Sequence, residues 1–233
     1  MERQLKFGSR TVSFTLAFKK RKSLGINVHP DGQVEVVAPS AAKEDQVLEK
    51  IKRKVPWILR QLDHFETYKP STPVRRFVNG ETHLYLGRQY RLRIVLDEAD
   101  HIKAYRGQLW IYARKVKPHA LKAQLDGWYK QRATSIFPEL LEEVLPRFKR
   151  YGIATPLLTI RTMSKRWGSC TRAGRITLNT ELVKAPKGSI EYVIVHELCH
   201  LVHRNHTKEF HGLQTRMMPD WRKWKDRLEY MLA

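Results

Sequence analysis

The chain has 233 residues, of which 42% are apolar, with six Trp, nine Tyr and eight Phe; this supports a packed core and excludes wholesale disorder. Its two cysteines, Cys170 and Cys199, exclude a disulfide framework and point to a reducing, cytoplasmic compartment. A net charge of +21 favours polyanionic partners such as nucleotides or nucleic acid, but charge alone speaks to non-specific association rather than to function.

The opening stretch MERQLKFGSR lacks an apolar h-region and does not read as a secretory signal. No apolar run approaches the roughly 20 residues that span a bilayer, so no membrane segment is expected. Residues 5–18 alternate apolar and polar and predict a strand. LGINVHP and QVEVVAP predict two further strands, joined through the Pro30-Asp31-Gly32 turn. Ser40 is positioned to cap a helix over 41–68, with Val47, Ile51, Val55, Ile58 and Leu62 at helical spacing and Pro56 marking a kink or restart. Residues 69–76 read as a linker. Strands then follow with turns at Asn79-Gly80, Leu86-Gly87 and Arg106-Gly107.

From Pro118 the pattern turns helical, either running past Pro138 or restarting there. LLTIRTMS and RITLNTEL read as a strand pair around Ala173-Gly174. The expected class is therefore α+β. A β-rich N-terminal subdomain with one helix, residues 1–115, precedes a second subdomain, residues 116–233, with a small mixed sheet and a chemistry-bearing helix.

That helix is predicted over 189–203, with Ser189 as its N-cap. It carries His196-Glu197-Leu198-Cys199-His200. Residues four apart lie one turn apart on one face, so both imidazoles reach a single ion, while Glu197 is offset toward a metal-bound water. His206, six residues past His200, supplies the third ligand at the spacing of extended HExxH patterns. Those patterns place Gly where this chain has His203, so Asn205 is the expected site of unusual backbone angles. Three fixed residues arise by chance in such a chain at roughly 3%, and the further His lowers this to roughly 0.1–0.2%.

The expectation is one zinc per chain on His196, His200 and His206, with Glu197 as general base. Tyr192, His203 and Arg166 are candidates for the oxyanion partner. His203 is expected to be exposed, and His211 to lie on the following helix as a surface or packing residue.

Two blocks make the chain similar to a known family. One runs from Arg161 through Lys165, Arg166, Trp167, Gly168 and Ser169 to Cys170, with Gly174 to Asn179 and Leu182 after it. The other is Tyr192 to His200, then His206 and Phe210. Together they resemble the YgjP-like metallopeptidase domain, related to the SprT and Wss-type proteases. The resemblance implies a zincin-like core and a peptide or protein substrate. Arg166, Trp167 and Gly168 then read as the edge strand over the cleft, and Tyr192 as a neighbour of the substrate. It also implies that Phe210 packs the third-ligand loop and that the two cysteines are buried apolar residues. Two alternatives stay open: a metal-dependent nucleotide (phosphoanhydride) hydrolase, and a nucleic-acid-associated protease.

Overall fold

The computed structural model describes residues 2–21, 23–29, 32–66, 75–164 and 166–232. Contacts divide the chain into two compact units, residues 1–73 and 74–232. The first unit holds β1 (Glu2–Phe7), β2 (Arg10–Lys19), β3 (Gly25–Val28), β4 (Val34–Pro39) and α1 (Glu44–Glu66). The sheet runs β1-β2-β4-β3, with β2 and β4 parallel and the outer pairs antiparallel. Alternation sends Val12, Phe14 and Leu16 of β2 to one face, where they meet Val34, Val36 and Ala38 of β4 and Val47, Ile51, Val55 and Ile58 of α1.

Three details depart from the sequence reading. The single strand over 5–18 is two strands, because Gly8 adopts φ +60° and turns the chain into a hairpin. The helix begins at Glu44, not after Ser40. Ser40 donates its N–H to Lys19 O, and Ala42 donates to Pro39 O, so these residues form a turn that closes β4, and the first helical turn carries Glu44 and Asp45 instead. Of the kink or restart expected at Pro56, the restart does not occur: α1 runs through it as one helix. Pro56 lies on the exposed side of the helix, where water can serve the carbonyl that lost its donor. The Pro30-Asp31 half of the predicted turn, the predicted helix end at Tyr68 and residues 69–74 of the linker lie outside the described residues.

The second unit opens with β5 (Thr82–Tyr85), β6 (Arg88–Leu96), β7 (His101–Tyr105) and β8 (Gln108–Ala113), ordered β5-β6-β8-β7. Its two hairpins turn at Leu86-Gly87 (φ +49° and +75°) and Arg106-Gly107 (φ +45° and +72°). Paired left-handed residues match the twist of the strands they join. Next comes α2 (Pro118–Val144), unbroken through Pro138 and continued by a 3-10 stretch, Leu145–Tyr151. The remaining elements are β9 (Leu157–Arg161), β10 (Gly168–Cys170), β11 (Arg175–Asn179), a 3-10 stretch Thr180–Lys184, α3 (Lys187–Val202), α4 (Lys208–Met217) and α5 (Trp221–Leu232). No helix among the described residues is long and apolar enough to cross a membrane.

The expected α+β class holds, but the 115/116 boundary cuts through one core. Leu92, Leu109 and Ile111 of the β5-β6-β8-β7 sheet share a buried cluster with Leu121, Leu125 and Phe137 of α2 and with Ile190, Ile194 and Leu198 of α3. Tyr129 of α2 reaches back to donate its hydroxyl to Leu84 O at 2.7 Å. The division between units falls instead in the stretch read as a linker. The expected strand pair is also rearranged. The Ala173-Gly174 turn joins β10 to β11, and β9 lies parallel to β11 on its other side.

The β5–β6 turn anchors the approach to α3. Leu86 and Gly87 donate their N–H groups to Val183 O and Lys184 O, and a Cβ on Gly87 would meet Pro186 Cγ at 2.6 Å and its Cα at 2.9 Å. Gly87→Ala therefore combines positive-φ strain with a backbone collision. It should destabilise this unit by about 1–3 kcal/mol in denaturant unfolding, with the denaturant slope unchanged.

Candidate metal centre

The helix α3 is set by packing at its start. Pro186 precedes it, and its carbonyl accepts the N–H groups of Ser189 and Ile190. Ser189 is not the cap: it is fully buried inside the first turn and donates Oγ–H to Trp224 O at 3.0 Å. A Cβ on Gly188 would lie 2.4 Å from the Trp224 ring, so α5 packs directly on the helix backbone. Val193, Ile194 and Val195 are β-branched and intrinsically modest helix formers, and all three are buried. Tertiary contacts supply what propensity does not.

His196 and His200 project from one side of α3. The helix ends at His203, which is extended (φ −126°, ψ 113°), and Thr207 is extended at the start of α4 (φ −81°, ψ −179°). The return of the chain uses these extended residues and a Thr207 N–H bond to Asn205 O. Asn205 does not take a positive φ; among the described residues other than Gly, only Phe77, Leu86 and Arg106 do. A glycine is not needed where His203 stands, because this turn is built without left-handed backbone.

The turn brings one ring nitrogen each from His196, His200 and His206 within 4.8 Å of one another. Their ring centroids are 4.7–4.9 Å apart, and each lies 4.7–5.1 Å from the fully buried ring of Phe210. The far nitrogens have acceptors: His196 Nδ1 is 3.3 Å from Gln214 Oε1, and His200 Nδ1 is 3.3 Å from His203 O. Protons held there leave the Nε2 lone pairs free for a metal. His196 Nε2 and His206 Nε2 stand 3.0 Å apart, close to the ligand spacing of about 3.3 Å that a tetrahedral ion with 2.0–2.1 Å bonds requires. Burial, then the neighbouring His200 and His206, hold His196 down at about 4, and burial also lowers His206. Neutral imidazoles are the form that ligates. By its donor set, the site fits a divalent metal.

Glu197 is 5% exposed, and burial raises its carboxyl to about 7 against the opposing pull of Arg166. The carboxylate rests on Gly168 of β10: a Cβ there would fall 2.6 Å from Glu197 Oε1 and 2.9 Å from Val193 Cγ1. An open cleft of about 490 Å3 runs between β10 and the histidines, bordered by Arg166, Arg172 and Arg204.

Of the other sequence candidates, Arg166 and Gly168 line this cleft, and Trp167 and Tyr192 are not among its lining residues. Trp167 packs on the core, while its carbonyl accepts the Asn179 N–H. Tyr192 stacks on Trp221 at 6.1 Å and leans toward His196 at 5.9 Å, as a brace behind the triad. His203 is half-buried rather than exposed, and contributes its carbonyl and not its ring. His211 is exposed on α4, stacked on Trp221. Cys199 is buried and its thiol is pushed up to about 12; Cys170 is half-buried on the cleft wall and burial raises it to about 11. Neither belongs to the group of side chains that converges with His196, His200 and His206.

Two supporting residues escaped the sequence reading. Gln214 lies one turn past Phe210 on α4, a spacing that marks a shared face but gives no reason to single out a glutamine. Asn179 is 3% exposed; it donates to Met163 O and Arg166 O and accepts from Met163 N–H and Glu181 N–H. It thereby holds the loop that delivers Arg166.

The YgjP-like metallopeptidase domain family matches residues 22–231 of this chain. Two solved structures are also similar. The metallopeptidase zymogen abylysin of Pyrococcus abyssi is 20% identical over 42% of this chain and 95% of its own, with a TM-score of 0.38. The zymogen jannalysin of Methanocaldococcus jannaschii is 17% identical over 42% of this chain and 97% of its own, with a TM-score of 0.36. No curated protein sequence matches.

Removing the acceptor behind His196 tests the metal geometry independently of any reaction. Gln214→Leu should keep the fold and weaken metal affinity about 10–100-fold, read by competition with a chromogenic chelator. An unchanged affinity would mean that Gln214 is packing alone.

Proposed function

The chain belongs to the YgjP-like metallopeptidase family, and we propose that it is a zinc-dependent peptidase in which Glu197 moves the proton. The observation that supports this reading is a buried carboxylate beside three converging imidazoles on the wall of an open cleft. His196, His200 and His206 hold the ion. When bound, zinc supplies Lewis acidity, polarising the scissile carbonyl and acidifying water.

The rest of the chemistry belongs to this chain's own groups. Gln214 and His203 O keep two of the imidazoles turned toward the ion. Glu197 takes a proton from the attacking water and hands it to the leaving nitrogen, so that one carboxylate acts as base and then as acid. Gly168 leaves room for that carboxylate, because any side chain there would displace it from above β10. The substrate is a peptide or protein segment lying in the cleft along β10.

Glu197→Gln should retain one zinc per chain by metal analysis and lower peptide hydrolysis by about 10²–10⁴-fold. Removing the metal with a chelator should abolish hydrolysis, and zinc should restore it. Hydrolysis that survives either treatment would remove Glu197 or the metal from the reaction. Gly168→Ala should resemble Glu197→Gln, keeping metal while losing at least about tenfold in turnover as the carboxylate shifts.

A further inference from the structure

We propose that the cleft selects peptides bearing Asp or Glu on the two sides of the bond it cuts, bound as an added strand along β10 between Arg166 and Arg172, with Arg204 on the α3 side. This rests on the peptidase reading above and names the class of its substrate.

The first support is the hydrogen-bonding pattern of β10. It is an edge strand, in the order β10-β11-β9. Asn179 donates its N–H to Trp167 O, and Thr171 donates to Arg175 O, so 167/179 and 171/175 are hydrogen-bonded rungs. With the register Gly168↔Leu178, Ser169↔Thr177, Cys170↔Ile176, antiparallel alternation makes 169/177 the rung between them. The N–H and C=O groups of Gly168 and Cys170 therefore point away from β11, and both residues line the cleft. An edge that offers donors and acceptors in alternation suits a peptide backbone. A phosphate group, which only accepts, would leave the carbonyls unpaired.

The second support is charge. Arg166 precedes β10 and Arg172 follows it in the turn to β11, so the two cations flank the open edge. Arg204 comes from the segment after α3. All three are exposed, and none has a carboxylate within ion-pair distance among the described residues. Among the described residues that line the cleft, Glu197 is the sole carboxylate. Three guanidinium groups that have no ion-pair partner among the described residues, set around a bound strand, attract carboxylate side chains and repel Lys and Arg, and the attraction weakens with salt.

The test uses the full chain loaded with zinc and peptides of equal length in which a fixed central pair is flanked by Glu, Ala or Lys. Hydrolysis is read as kcat/KM, and binding of labelled peptides to the Glu197→Gln protein as Kd by fluorescence anisotropy. Acidic peptides should exceed neutral ones by about tenfold at low salt, chiefly through KM, with Lys peptides weakest. Arg172→Glu and Arg204→Glu should each lower the acidic-to-neutral ratio at least about fivefold and improve Lys peptides, while Arg172→Lys keeps the preference. Arg166 is left native because its charge also acts on Glu197.

Acidic peptides that bind and react no better than neutral ones would overturn the proposal, as would a ratio insensitive to both charge reversals. Tighter binding and hydrolysis of ATP would overturn it in favour of a phosphate-directed site. If no peptide is cut yet acidic ones bind Glu197→Gln in an arginine-dependent way, the hydrolytic reading fails and the recognition surface stands.

Discussion

Three imidazoles rest on one buried phenyl ring, and that contact is the constraint on which the centre depends. Phe210 touches His196 and His200 from α3 and His206 from the loop before its own helix. A bare cluster of histidines has no reason to converge, since burial disfavours their charged forms and any protonated pair would repel. A phenyl ring at the base fixes three ring planes at once and excludes water from one side. The acceptors on the other side, Gln214 and His203 O, then decide which nitrogen faces inward.

The larger framework exists to keep one strand at a set distance from one helix. Gly168 lets β10 approach until the Glu197 carboxylate lies against the strand backbone. Asn179 ties the loop before β10 with its amide, replacing the regular hydrogen bonds that the loop cannot make. On the far side, the β5–β6 turn grips the segment from Val183 to Pro186 that leads into α3. Trp224 packs against Gly188 and accepts from Ser189 through its carbonyl, pinning the helix start. Each of these contacts involves a glycine or a buried polar side chain, and each joins segments distant in sequence.

Charge acts at two scales. The overall excess of +21 raises the local concentration of any anionic partner without choosing one. Choice requires fixed geometry, and near the cleft that is provided by arginines spaced along an open sheet edge. A long-range field and a short-range pattern of donors can thus favour the same class of ligand. The pattern also carries backbone hydrogen bonds, which the field cannot.

Most elements, and the three histidines that converge on one point, were legible in the amino-acid sequence alone. Alternation in Val12, Phe14 and Leu16, turn pairs such as Leu86-Gly87, and the four-residue step from His196 to His200 depend on local backbone geometry, which a short window contains. It did not determine where strands pair or where cores divide. The parallel placement of β9 against β11, the single core spanning residues 85–228, and the start of α1 at Glu44 follow from contacts made across long loops. The same holds for Gln214, Asn179 and the inward turn of Glu197 over Gly168. A buried polar group has meaning only through its partner, and the distant partners here lie 13 to 18 residues away or on another element. The resemblance anticipated an edge strand, but which backbone groups of β10 face outward was decided only by the order and register of three strands, because hydrogen-bond pairing is a property of the sheet and not of the residues in it.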